Sequence, residues 1–185
     1  VQILIAGVAL WWVSHLFKRL APGLRARIGD GPGKLIVTVA SIVAIVLMVI
    51  GYRQAEFVPI YTPLPGMGHL NNLLMLIAMF LFALSHSKGS LRPRIRHPML
   101  ASVVVWSIAH LLVNGDLASI VLFGGVGLWA VVSMLLINAR DPWVPPAPGP
   151  VRKDIVAAII ALVVYGIVAA IHSWLGYNPF LGTYG

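Results

Sequence analysis

Of the charged or readily ionised residue types His, Asp, Glu, Lys and Arg, only histidine falls within the long apolar runs of this chain, and imidazole can ligate a metal or move a proton. There are six: His15, His69, His86, His97, His110 and His172. The chain has no cysteine, which excludes disulfides, iron–sulfur ligation, thiolate metal sites and cysteine nucleophiles together. A bound metal or cofactor must therefore be held by histidine, methionine or oxygen ligands. No Asp, Glu, Lys or Arg falls within the apolar runs. A proton pump or cation transporter usually needs carboxylates there, so the composition argues against both. Imidazole coordination remains.

His110 lies about 18 Å from Pro98 at the rise of an α-helix, towards the outer half of its run and away from the interface. Trp106 and Ser107 precede it by four and three residues and Asn114 follows by four, so all share its helical face. A lone histidine in such a place is accounted for by a hydrogen bond to a neighbouring helix, but here a polar strip lies beside an aromatic wall. His15 has similar company, with Trp11 and Trp12 one turn before it. Neutral imidazoles on two helices are the usual axial ligands of a b-type haem. Tryptophans near helix ends serve equally as interfacial anchors. Arg96 and His97 have two readings as well. They contact a cofactor, or they form a basic interfacial cap to a helix begun by Pro98.

The elements that position these residues follow from composition. The 185 residues are 59% hydrophobic and 10% charged, with a mean hydropathy of +0.94; soluble domains carry about a quarter charged residues. The expected fold is all-α, a single polytopic membrane domain over residues 1–185. Its six transmembrane helices fall at about 1–17, 35–52, 70–85, 98–113, 117–137 and 155–175, each near the length needed to cross about 30 Å of hydrocarbon. The first is read as a retained helix, since no basic residue precedes it and no small-residue cleavage site follows. Of the thirteen Lys and Arg, only Arg53 falls outside the loops joining helices one to two, three to four and five to six. By the positive-inside rule both termini are then periplasmic, in the inner membrane of a bacterium. That topology explains the net charge of +8 without nucleic acid. The loops read as irregular: Arg53 to Gly68 holds three prolines, and Asp141 to Pro150 holds five and makes a stiff connector. Asn114-Gly115-Asp116 is a tight turn that makes helices four and five antiparallel neighbours. Gly124, Gly125 and Gly127 would let another helix approach closely.

Three groups of residues resemble the NnrU family. Helix four carries Arg96-His97-Pro98-Met99-Leu100, then Trp106-Ser107-Ile108-Ala109-His110-Leu111-Leu112, then Asn114-Gly115-Asp116-Leu117-Ala118-Ser119. The first loop carries Ala21-Pro22-Gly23-Leu24-Arg25-Ala26-Arg27 after His15, and the last helix ends Ile171-His172-Ser173-Trp174-Leu175-Gly176. The resemblance implies a membrane protein associated with nitrite and nitric oxide metabolism in denitrifying bacteria. It is also similar to the zeta-carotene isomerases, haem b proteins that isomerise a cis double bond. By that similarity His110 and His15 are the axial ligands of a haem b, about 8 Å apart in depth by helical rise. His69 and His172 are the alternative ligands, and Trp106, Ser107, Arg96 and His97 are cofactor contacts. The isomerases have a cysteine where this chain has Ser107, so an exchange from imidazole to thiolate has no thiol here. Two other readings stand beside the haem protein: a haem-free structural or assembly subunit working with a membrane-protein partner or as a homo-oligomer, and a haem-dependent isomerase. If the chain is an enzyme, it is a haem-dependent redox enzyme or a cis-trans isomerase.

Overall fold

The computed structural model describes residues 1–180, and among them helices are the only regular elements, joined by irregular loops, with one isolated bridge between Pro59 and Asp116. Helix α1 spans Gln2–Leu20, α2 Pro22–Ile28, α3 Asp30–Arg53, α4 Met67–His86 and α5 Pro98–Leu111. A rod then runs from Leu117 to Arg140 as α6 (Leu117–Ser119), a π-helical turn (Ile120–Gly124) and α7 (Gly125–Arg140). Helix α8 spans Arg152–Trp174. Five of these are long and apolar enough to cross a membrane: α1, α3, α4, the Leu117–Arg140 rod and α8. These are the helices of a multi-pass membrane protein. The sixth apolar helix, α5, has 14 residues, a length of about 21 Å that falls short of the hydrocarbon core.

The helices form a row rather than a closed ring. Helix α3 packs on α1, α1 on the π turn and α7, these on α5, α5 on α4, and α4 on α8. Burial follows that order. Of the most apolar window of the rod 33% is buried, against 17% for α3 and for α8 at the two ends. The apolar outer faces of α3 and α8 suit acyl chains, as the hydropathy requires.

With lipid as solvent, helix association rests on close packing and interhelical hydrogen bonds rather than on hydrophobic expulsion. The antiparallel pair α1–α3 shows how this sequence does it. A Cβ on Gly51 would lie 2.3 Å from the Leu4 amide nitrogen, and one on Gly7 would lie 2.8 Å from the Met48 amide nitrogen. Both glycines let one backbone rest on the other. At the far end of the row, the Asp154 carboxylate begins α8 and accepts the Ser90 N–H (2.8 Å), the Ser90 hydroxyl (2.6 Å) and the Leu91 N–H (3.4 Å), pinning the loop after α4.

Two elements depart from the sequence expectation. The segment after α1, read as loop, contains α2; Arg25 is buried and folds onto its own turn, donating to the Gly29 and Asp30 carbonyls. The fifth apolar run is interrupted by the π turn. The expected reversal at Asn114 to Asp116 is present. Asp116 caps α6 by accepting the Ser119 N–H at 3.0 Å, and the loop residues Ile60 and Tyr61 donate their N–H groups to the Gly115 carbonyl.

Candidate functional site

The two imidazoles singled out by sequence sit in separate aromatic cages, both braced by the Leu117–Arg140 rod. On α1, His15 lies 3.9 Å from the Trp11 ring and 5.1 Å from that of Trp129 on α7, which meets it edge-on. On α5, His110 stacks on Phe123 of the π turn, with ring centroids 4.4 Å apart and planes inclined by 25°; Trp106 lies 5.0 Å away. Each Nδ1–H is donated to the carbonyl four residues back, Trp11 for His15 (2.9 Å) and Trp106 for His110 (2.9 Å). That bond fixes the tautomer and leaves Nε2 as the nitrogen with a free lone pair, the usual arrangement of a ligating histidine. It does not single these two out, since His86 and His172 make the same bond to Phe82 and Val168. Enclosure narrows the choice: His69, His86 and His172 are exposed, whereas His15, His110 and His97 are half-buried, and the His97 Nε2 is already engaged with Asn138.

The π turn positions this arrangement. A π turn holds one residue more than an α-helical turn and recurs at functional sites. The Phe123 carbonyl accepts the Ser107 hydroxyl of α5 at 2.6 Å, and the Gly125 carbonyl accepts the Trp12 indole N–H of α1 at 2.9 Å. Both flanking helices are thus bonded to the same irregular stretch. Two of the three glycines expected to admit a neighbour do so, though to side chains. A Cβ on Gly127 would lie 2.3 Å from Ser107 Oγ and one on Gly125 2.8 Å from Val8 Cγ1, while Gly124 faces open space. Ser107 is therefore a helix-to-helix fastener, and Asn114 donates its side-chain amide to the His110 carbonyl at 2.8 Å.

Phe123 and Trp129 are six residues apart along the rod, about 9 Å of rise, so the imidazoles they brace stand at different depths. Helices α1 and α5 meet chiefly through the rod between them. Arg96 and His97 lie elsewhere, at the end of α7. Arg96 donates to the Ile137 and Asp141 carbonyls, and His97 Nε2 lies 2.9 Å from Asn138 Oδ1. There they close the C-terminus of α7, where carbonyls lack helical partners.

Beside the cages runs an apolar cleft of about 380 Å³ walled by α1, α3, α5 and the rod. Trp11 and Trp106 line it, together with Ile45, Met48, Tyr52 and Leu122. At its Arg53 end the Tyr52 hydroxyl is 2.9 Å from Ser119 Oγ, which donates to the Asp116 carboxylate at 2.5 Å. The indole nitrogens of Trp11 and Trp129, the two tryptophans around His15, and the Ser133 hydroxyl one turn along α7 are buried without a hydrogen-bond partner among the described residues. An indole N–H only donates, so two of these three atoms call for an acceptor. The donor set fits a haem b in its chemistry: two neutral imidazoles with free Nε2, apolar aromatic walls, and buried donors without an acceptor.

Sequence reasoning reached His15, His110, Trp11, Trp106 and Ser107 but not Phe123, Trp129 or Ser133. Nothing in the apolar run of the rod marks which of its faces meets α1. The NnrU protein family model matches residues 3–179 of the chain. Neither the comparison with curated proteins nor that with solved structures gives a match.

Proposed function

The chain belongs to the NnrU family, and from that premise we propose that it is a haem b-binding protein of the bacterial inner membrane acting in nitrite and nitric oxide metabolism. The observation that carries this reading is the pair of enclosed imidazoles, each with its tautomer fixed and each caged by tryptophan and the rod. His110 and His15 would hold the iron. Trp11, Trp106, Phe123 and Trp129 would exclude water, and the indole N–H groups of Trp11 and Trp129 with the Ser133 hydroxyl would receive the carboxylates. When bound, such a haem supplies one-electron redox chemistry and an iron centre for nitrogen oxides. Ser107, engaged with the Phe123 carbonyl, takes the place of a ligand-exchange thiol, so the reading favours redox or ligand binding over isomerisation.

The same proposal includes six spans with both termini periplasmic. It is supported by the confinement of every Lys and Arg but Arg53 to alternate loops, and by the position of α5 between α4 and the rod.

Absorption spectra of the detergent-solubilised protein, oxidised and reduced, test the cofactor. The expected result is a Soret band that loses intensity or shifts in His110→Ala and in His15→Ala and vanishes in the double variant. A band unaffected by the double substitution would refute the ligand assignment. Protein without any chromophore that co-purifies with other subunits at fixed stoichiometry would move the reading to an assembly role.

A further inference from the structure

We propose that the cleft between α1, α3, α5 and the rod is a binding site for one acyl chain of an anionic phospholipid, whose phosphate is received by Arg53. The inference rests on the cleft alone and concerns the protein free of haem, because a haem caged by the same Trp11 and Trp106 would take that space and quench their fluorescence.

Three observations point to this occupant. First, the walls are apolar: Trp11, Ile45, Met48, Trp106 and Leu122 offer a hydrocarbon chain contact on several sides, and no polar group faces the interior. Second, the length matches. The lining on α3 runs from Ile45 to Arg53, eight residues or about 12 Å of helix, close to the depth of one leaflet in a core of about 30 Å. Third, the charge lies where a headgroup would. Arg53 is the last residue of α3, exposed, and has neither an ion pair nor a side-chain hydrogen bond among the described residues. Its aliphatic stem joins the apolar wall, and long cationic side chains carry their charged end out to a membrane surface. The guanidinium fork suits phosphate oxygens. All other Lys and Arg belong to the loops at the opposite ends of the helices, so Arg53 is the one lysine or arginine on this face. Glu56, three residues on, is exposed and makes no ion pair with Arg53.

The site also has a built-in reporter. Trp11 and Trp106 line the cleft and are the same indoles that pack on His15 and His110. A chain in the cleft would touch both, and a brominated chain would quench their fluorescence.

The experiment uses the full-length protein in detergent micelles, titrated with brominated phosphatidylglycerol, brominated phosphatidylcholine or a brominated free fatty acid. The expected result is saturable quenching by phosphatidylglycerol, reversed by its unbrominated form, at concentrations about fivefold lower than for phosphatidylcholine, the preference one surface arginine confers. Arg53→Gln should abolish the preference while leaving quenching by both lipids. Val49→Phe, or Ile45→Phe should the first variant not fold, should remove the saturable component for both. Equal affinity for the two headgroups in the wild type, or a preference that survives Arg53→Gln, would overturn the headgroup assignment. Quenching untouched by either cleft-filling variant would place the chains in the ordinary lipid annulus. Tighter saturable quenching by the free acid than by phosphatidylglycerol would replace the phospholipid as occupant.

Discussion

Ser107 illustrates how much one hydroxyl decides inside a membrane. It is 5% exposed, bonded to the Phe123 carbonyl, and fills the space a side chain at position 127 would need. Interhelical hydrogen bonds in lipid are worth on the order of 0.6 to 2 kcal/mol, because the separated helices find other partners. Ser107→Ala is therefore expected to lower stability by about 1 kcal/mol, read by reversible unfolding in mixed micelles. An unchanged midpoint would show that the carbonyl is served by the backbone alone. At this scale the sequence was informative wherever chemistry and spacing coincide on one helix. Trp106, His110 and Asn114 share a face by their four-residue intervals, and the structure places them so. It was silent on Trp129 and Phe123, since pairing between helices depends on angular positions that no spacing within one helix reports.

Among the elements, α1 and α3 make the closest approach. A methyl group on Gly51 would meet backbone atoms of Leu4 and Ile3, at 2.3 to 2.9 Å, and backbone cannot swing aside as a side chain does. Gly51→Ala should force the pair apart and cost about 1 to 3 kcal/mol, the usual range for overpacking; a thermal denaturation midpoint equal to that of the wild type would contradict the contact. Five of the six expected spans are helices long and apolar enough to cross a membrane, because apolar runs of that length leave few alternatives in lipid, and the fourth run forms the 14-residue α5, which falls short. Their ends were less legible. Helix α3 begins at Asp30 rather than Leu35, a polar first turn that Lys34 can bridge by reaching toward the headgroups. The proline and two glycines between Ala21 and Gly29 read as loop, yet Pro22 stands where a helix tolerates it best, at the first position of α2. The π turn left no trace in a stretch apolar on every side.

For the molecule as a whole, the lack of cysteine makes sidedness directly measurable. Single cysteines at Glu56 and at Lys88, both exposed loop positions, should react with a membrane-impermeant maleimide from opposite sides of intact spheroplasts, Glu56→Cys from outside and Lys88→Cys only after lysis. Labelling of both from the same side would rule out the six-span arrangement. The charge pattern is what proposes this topology, since lipid imposes one rule on every loop at once. The row order of the helices was beyond the sequence. It is set by glycine contacts and by the bonds to the Phe123 and Gly125 carbonyls, each of which joins residues more than a dozen positions apart.

One extra residue in the π turn has a rotational consequence. Everything beyond it is turned by about 100° relative to an unbroken helix, so the two halves of a single rod keep different compass bearings. The upper half offers Phe123 to one imidazole and the lower half offers Trp129 to the other. Two stations whose tryptophans border one cleft are thereby indexed to one shaft.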